Sequence, residues 1–245
     1  MKILYCGDSH EGGPANYLLA ILNYNKAEVT HIPPGVKLKP SVLMHRFDAI
    51  ILSDYGRDCL PEKSEEKIVY QVLSGTGLLM VGGWGSFSGP FGGWSGSEIE
   101  KLLPVNCLKK DDRHNLGSGL YVFKKKDHAI IKGCNLKQAP VIIGFNEIQP
   151  KKNTDVVLTV KAFHPAKRKF DRKEYPLLVV NKHAEIRTAA FATDFAPHWC
   201  GGLVDWGTKR CNLSVTKNIQ VEIGDEYVRF VSRILNWVAS NKIKK

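Results

Sequence analysis

The chain has 245 residues, enough to bury a core without disulfide or metal staples, and its hydrophobic share of 43% and charged share of 24% are those of a globular protein. No apolar run approaches the roughly 18 residues of a membrane span. The opening MKILYCGDSH runs from Met into a strand-like stretch without a cleavage-site pattern, so neither a signal peptide nor a membrane anchor is expected. The formal net charge is +11, much of it in short clusters: Lys109-Lys110, Lys124-Lys125-Lys126, Lys151-Lys152, Lys167-Arg168-Lys169 and the Lys242 to Lys245 tail. None of these clusters alternates with aromatics in sequence, so they read as solvated loops and nucleic acid is not an expected partner.

In chain order, Lys2 to Cys6 is a short apolar strand ending in Gly7-Asp8-Ser9. Pro14 suits a first helical residue, and Tyr17, Leu18, Ile21 and Leu22 recur at helical spacing. Glu28 to Ile32 and Phe47 to Leu52 are further strands. Ser64 is placed to cap a helix whose face is Ile68, Val69, Val72 and Leu73. Leu78 to Val81 is a fourth strand, running into Gly82-Gly83. Short apolar strands separated by helices predict an α/β fold: a doubly wound, mostly parallel sheet with both faces covered.

The segment Gly82 to Gly96 is glycine-rich, but Trp84, Phe87, Phe91 and Trp94 make it an ordered loop rather than a linker, its aromatics serving either as a lid or subunit contact or as plain packing. Glu98 to Leu103 is a short helix stopped by Pro104. Beyond it, Leu120 to Phe123, Val141 to Ile143, Val156 to Val160, Leu177 to Val180 and Thr188 to Ala192 are strands with little helix between them. Some of these must pair antiparallel, either as an extension of the main sheet or as a small lobe, with residues 120–185 the β-rich part of a single domain spanning 1–245. Phe163 to Tyr175 reads as an exposed basic loop. A final helix presents Tyr227, Val231, Ile234, Leu235 and Val238 on one face.

Cys6, Cys59, Cys107, Cys134, Cys200 and Cys211 are scattered without a CxxC pair, which fits free thiols in a reducing cytoplasm and excludes a zinc knuckle. The sequon Asn212-Leu213-Ser214 is then a chance match.

In open parallel sheets, sites form where strands end at their carboxyl edge. That rule selects Asp8-Ser9-His10, Ser53-Asp54-Tyr55, Gly82-Gly83-Trp84 and the run Asp194 to Trp199. Asp194 and His198 are the candidate catalytic pair, a carboxylate orienting an imidazole. The bland alternative is a polar cap on a turn with Trp199 packed beneath it. Asp8, Ser9, Asp54, Tyr55, Gly82, Gly83, Trp84 and Trp199 are the candidate ligand-binding residues, and Asp8, Asp54, Gly83, Trp84 and His198 are expected to share one cavity. Three aspartates and a histidine on one rim could attract a divalent cation, but their spacing matches no metal motif. No metal ligand is therefore assigned, and no cofactor is expected.

The strand Leu78 to Val81 ends where a nucleophile elbow would stand, and the turn there is Gly82-Gly83, which offers no nucleophile. Ser86 lies beyond the turn. The ordered motifs GLLMVGGWGSFSG, LLPV at Leu102 to Val105, DDR at Asp111 to Arg113 and TDFAPHW at Thr193 to Trp199 resemble the putative glutamine amidotransferase family, which carries a GATase1-like domain. The likeness covers nearly the whole chain and extends distantly to the trehalose-utilisation protein family. It implies a flavodoxin-like, class I glutamine amidotransferase-like fold. The elbow cysteine of that class would fall at Gly82 or Gly83, so the nucleophile does not carry over. The class histidine would fall at His198, and its acidic partner two residues later is replaced by Cys200. Without a thiolate no glutaminyl thioester forms by the usual route, and Cys200 has no elbow to activate it.

The resemblance thus implies a glutamine amidotransferase-like domain lacking the catalytic cysteine, a non-glutaminase that binds a small molecule or regulates. The alternative is a hydrolase or lyase using Asp and His residues at the sheet edge, on a sugar-like ligand. A homo-oligomer is left open as a partner state.

Overall fold

The computed structural model describes residues 1–9, 12–181 and 186–240; His10 and the Lys242 to Lys245 cluster lie outside the described residues. The first half runs β1 (Lys2–Gly7), α1 (Ala15–Tyr24), β2 (Glu28–Ile32), β3 (Ala49–Ser53), α2 (Glu62–Leu73) and β4 (Gly77–Val81). The second half continues with α3 (Glu98–Leu102), β5 (Val105–Asn106), β6 (Arg113–Lys124), β7 (Val141–Asn146), β8 (Gln149–Pro150), β9 (Thr154–His164), β10 (Lys169–Phe170), β11 (Tyr175–Asn181) and β12 (Thr188–Phe191). It closes with α4 (Pro197–Cys200), β13 (Arg210–Ser214), β14 (Gln220–Gly224) and α5 (Asp225–Ala239).

Ten strands form the main sheet in the order β2-β1-β3-β4-β12-β11-β9-β6-β7, with β10 paired to β9. The strands from β2 to β12 are parallel, and every pairing from β12 outward to β11, β9, β6, β7 and β10 is antiparallel. The antiparallel strands therefore extend the main sheet and do not form a separate lobe. All residues of β3, β4 and β12 are buried, as strands covered on both faces must be. Right-handed crossovers put α1 and α2 on opposite faces, because the chain steps from β1 to β2 in one direction and from β3 to β4 in the other. Helix α5 packs beside α1 against β3 and β4, while α2 packs against α3. This is the flavodoxin-like order, and its reversal point lies between β1 and β3.

Local departures from expectation have physical reasons. Helix α2 starts at Glu62 behind Pro61, so Ser64 is not its cap; Ser64 is buried and its Oγ donates to the Leu38 carbonyl at 2.6 Å. The basic loop after Phe163 contains β10, which turns back on β9 and brings Phe170 edge-on to Tyr121 and Phe123, at ring separations of 5.4 and 5.1 Å. The hairpin β13–β14 carries no apolar run, and its alternating exposure hides it from periodicity; the neighbouring Val215 carbonyl accepts from the Asn23 side chain of α1 at 2.8 Å. Among the described residues no helix is long and apolar enough to cross a membrane.

The glycine-rich loop divides in two. Phe87 and Trp94 are fully buried, and the Trp94 indole N–H is shared between the carbonyls of Tyr55 and Gly85, both at 3.1 Å. Those two aromatics are core, the packing alternative of the two roles expected for the loop. Trp84 and Phe91 remain 47% and 67% exposed and stack on each other at 6.3 Å.

Candidate functional site

The carboxyl ends of β1, β3, β4 and β12 bring Asp8, Asp54, Gly83 and Asp194 to one rim. Asp8 and Asp54 each follow their strand by one residue in the left-handed backbone region, at φ 44° and 51°. A non-glycine residue there is uncommon and costs free energy, and aspartate tolerates it better than most. From these positions the Asp8 side chain turns onto Tyr5 and the Asp54 side chain onto the glycine turn.

Asp8 is buried, and its Oδ2 accepts the Tyr5 hydroxyl at 2.6 Å. Burial raises its carboxyl to about 7, opposed by the hydrogen bond from Tyr5 and reinforced by the negative charges of Asp194 and Asp54. Tyr5 was not expected at the site: its side chain belongs to an apolar-looking strand, and only the fold shows its hydroxyl meeting Asp8.

The His198–Asp194 pair is the best-built part of the rim. Asp194 is buried; its Oδ1 accepts the amides of Ala196 at 3.0 Å and Cys200 at 3.2 Å, and its Oδ2 meets His198 Nε2 at 2.7 Å. The turn into α4 folds back on Asp194 and so fixes the imidazole, which stays half exposed. The hydrogen bond that His198 donates to Asp194 raises the His198 pKa above its usual value, with partial burial opposing and the charges of Asp194, Asp8 and Asp54 adding to the rise. The three carboxylates and the imidazole thus lie within electrostatic reach of one another. Among the described residues, however, no three His, Cys, Asp or Glu side chains are grouped so as to hold a metal ion.

The glycine turn is closed to side chains. A Cβ at Gly83 would lie 2.7 Å from Asp54 Oδ1, and one at Gly82 would collide with the Ala192 carbonyl oxygen. Asp54 is itself fixed: Oδ1 accepts the Gly85 amide, and its own amide donates to Ser86 Oγ at 3.0 Å. Asn146, at the end of β7, holds the turn from the other side. Its Oδ1 accepts the Gly83 amide at 2.9 Å, and its Nδ2 donates to the Gly83 carbonyl at 3.2 Å and to Asp112 Oδ1 at 2.6 Å. Asp112 in turn accepts the Ser88 amide at 2.8 Å, and burial raises its carboxyl to about 6 despite these hydrogen bonds. Sequence periodicity could not find Asn146, because its partner Gly83 is 63 residues away.

The other expected site residues are placed as follows. Tyr55 is fully buried and its hydroxyl is used up, its single O–H shared between the Val36 and Cys59 carbonyls at 2.7 and 2.8 Å and its oxygen accepting the Leu38 amide at 3.0 Å. It therefore cannot serve as a ligand-binding group: the backbone turn after Asp54 swings it under the loop. Gly82 is sealed in the same sense. Trp199 is buried against Gly144, whose missing side chain makes room for the indole. Ser9 is exposed at the rim. Trp84 stands outside, with the Arg113 guanidinium 4.1 Å from its ring centroid, at the entrance of β6. Cys200 is fully buried, and burial together with Asp194 pushes its thiol well up, so it holds no thiolate.

A mostly parallel sheet wound in the flavodoxin-like order with an antiparallel extension is the fold of a class I amidotransferase-like domain. The chain belongs to the GATase1-like family, described as putative glutamine amidotransferase, whose model matches residues 5–214. Two solved structures share the whole fold: the cytoplasmic protein STM3548 from Salmonella typhimurium, with a TM-score of 0.72, and the cytoplasmic protein STM1381 from Salmonella typhimurium LT2, with 0.71. Each is 22% identical, and each comparison covers 97% of this chain and 99% of the other. Agd3, titled a novel carbohydrate deacetylase, matches at a TM-score of 0.52 and 15% identity over 81% of this chain and 30% of its own. No curated protein matches by sequence.

Proposed function

We propose that this protein is a cytoplasmic glutamine amidotransferase-like domain that has lost the catalytic cysteine and binds a small molecule at the rim of Asp8, Asp54, Asp194 and His198. The observation that carries this reading is the closed glycine turn. Asp54 occupies the space that a nucleophile's side chain at Gly83 would need, and the Ala192 carbonyl blocks Gly82. The buried thiol of Cys200 offers no replacement. Fresh protein incubated with glutamine is expected to release no ammonia; sustained turnover, or a glutamyl adduct on any of the six thiols, overturns the reading. In a thermal-shift screen of uncharged polyols and small amines, a stabilising ligand is expected whose effect disappears in His198→Ala.

A second reading has its own support. A buried carboxyl at Asp8 raised to about 7, together with an oriented imidazole at His198 raised by Asp194, puts two groups that exchange protons near neutrality on one rim. That pairing suits a hydrolase or lyase acting on a sugar-like ligand. It predicts turnover of a chromogenic glycoside or ester panel that both Asp8→Asn and His198→Ala abolish.

A further inference from the structure

Away from the rim, the antiparallel half of the sheet carries a groove of about 1210 Å³ that none of the candidate site residues lines. It is lined by Val122 and Phe123 of β6, by Phe170 of β10, and by Ile131 and Leu136 from the two short turns between β6 and β7. Phe170 stands edge-on to Phe123 at 5.1 Å and is 40% exposed, so an apolar surface is left open beside a well-packed ring pair. The wall turns through Ala139, which lines the groove in the left-handed region at φ 49°. No glycine relieves it there, and a strained non-glycine residue of this kind persists only where its surroundings hold it.

The charges around this groove are one-sided. Lys124, Lys132 and Lys137 line it, against the single acid Asp127, which Lys124 engages at 2.8 Å. Among the described residues Lys132 and Lys137 pair with no acid and are exposed. Most of the exposed lining is apolar, and besides the lysines and Asp127 the polar side chains on it are His128, Cys134 and Asn135. An alkyl chain laid on that apolar surface has no polar edge to satisfy.

From the apolar walls and the unpaired lysines at the mouth we infer that this groove binds an unbranched fatty acid, with its chain along Phe123, Phe170, Ile131 and Leu136 and its carboxylate on Lys132 and Lys137. This site is independent of the rim and of the function proposed for it.

The full chain, titrated by calorimetry with saturated fatty acids of 8, 10, 12 and 14 carbons below their micelle concentrations, tests the inference. Binding of one molecule per chain is expected, with affinity rising about three- to fourfold per added methylene until the groove is filled. Dodecanoate should bind at least tenfold more tightly than dodecyltrimethylammonium, which has the same tail and the opposite charge. The double variant Lys132→Glu, Lys137→Glu, both exposed positions, should erase or reverse that preference while its circular-dichroism melt stays unchanged. Leu136→Trp, which fills the groove, should cut dodecanoate affinity at least tenfold. The inference fails if affinity is independent of chain length, if both head groups bind alike, if the lysine variant binds as the parent does, or if adenosine monophosphate displaces dodecanoate at equal concentration.

Discussion

Asp8 couples the rim to pH. Its ordinary carboxyl value is near 3.8, and in the fold it is raised to about 7 by burial. Between those values the native state binds more protons than the unfolded chain, so this group's contribution to stability falls as pH rises through that window. His198, raised by Asp194, acts in the same direction: the stability it contributes is present below its unfolded value and is lost as pH rises through its folded one. The melting temperature of the parent should therefore fall from pH 5 to pH 8, and Asp8→Asn should remove a measurable part of that fall; a variant that tracks the parent at both pH values would contradict the burial account. At Gly83 the prediction is steric. Gly83→Cys must displace Asp54, so it should lower stability by about 1–3 kcal/mol in urea unfolding and still release no ammonia from glutamine. Restoring the sulfur does not restore the room around it.

Asn146 decides how two elements meet. It ties the glycine turn after β4 to the end of β7, and through Asp112 to Ser88 and the start of β6. Asn146→Ala would leave the buried Gly83 amide and the Asp112 carboxyl short of partners, and a stability loss of about 2–4 kcal/mol is expected in urea unfolding. Such a network explains why the glycine loop is fixed in spite of its composition. It also separates the loop's aromatics by role: Phe87 and Trp94 anchor it from beneath, and Trp84 stays outside with Arg113 over its face. Limited proteolysis should spare this loop in the parent and cut it in Asn146→Ala.

Across the whole molecule, α5 is what closes the parallel sheet. Its buried stripe of Tyr227, Val231, Ile234, Leu235 and Val238 covers β3 and β4. The approach is close enough that a Cβ at Gly77 would collide with the Val238 carbonyl. Gly77→Ala should cost about 1–3 kcal/mol. At roughly 2–4 °C per kcal/mol for a chain of this size, the shift is readable in a thermal melt. An unshifted melt would mean that α5 is free to slide, and that the helix is held by its stripe alone.

The strands and helices of the first half were legible in the sequence, because each is a compact run with its own period and its own breakers: Glu28 to Ile32 is recovered to the residue, and β1, β3 and β4 to within a residue or two. The same local logic put Asp8, Asp54 and Gly83 just past their strands, and Asp194 and His198 in the segment that follows β12. The rest was not legible, because it depends on groups far apart in the chain: Tyr5 with its hydroxyl on Asp8, Asn146 across the sheet from Gly83, and Phe170 folded onto Phe123 by a two-residue strand. What the sequence determined by itself was therefore the α/β pattern, the residues at the strand ends and the absence of a side chain at the turn. Only the tertiary structure decided which hydroxyls are free, that Tyr55 and Trp199 face inward, and that scattered lysines gather at the mouth of an apolar groove. Periodicity is a property of neighbours along the chain, whereas burial, charge and hydrogen-bond satisfaction are set by neighbours in space.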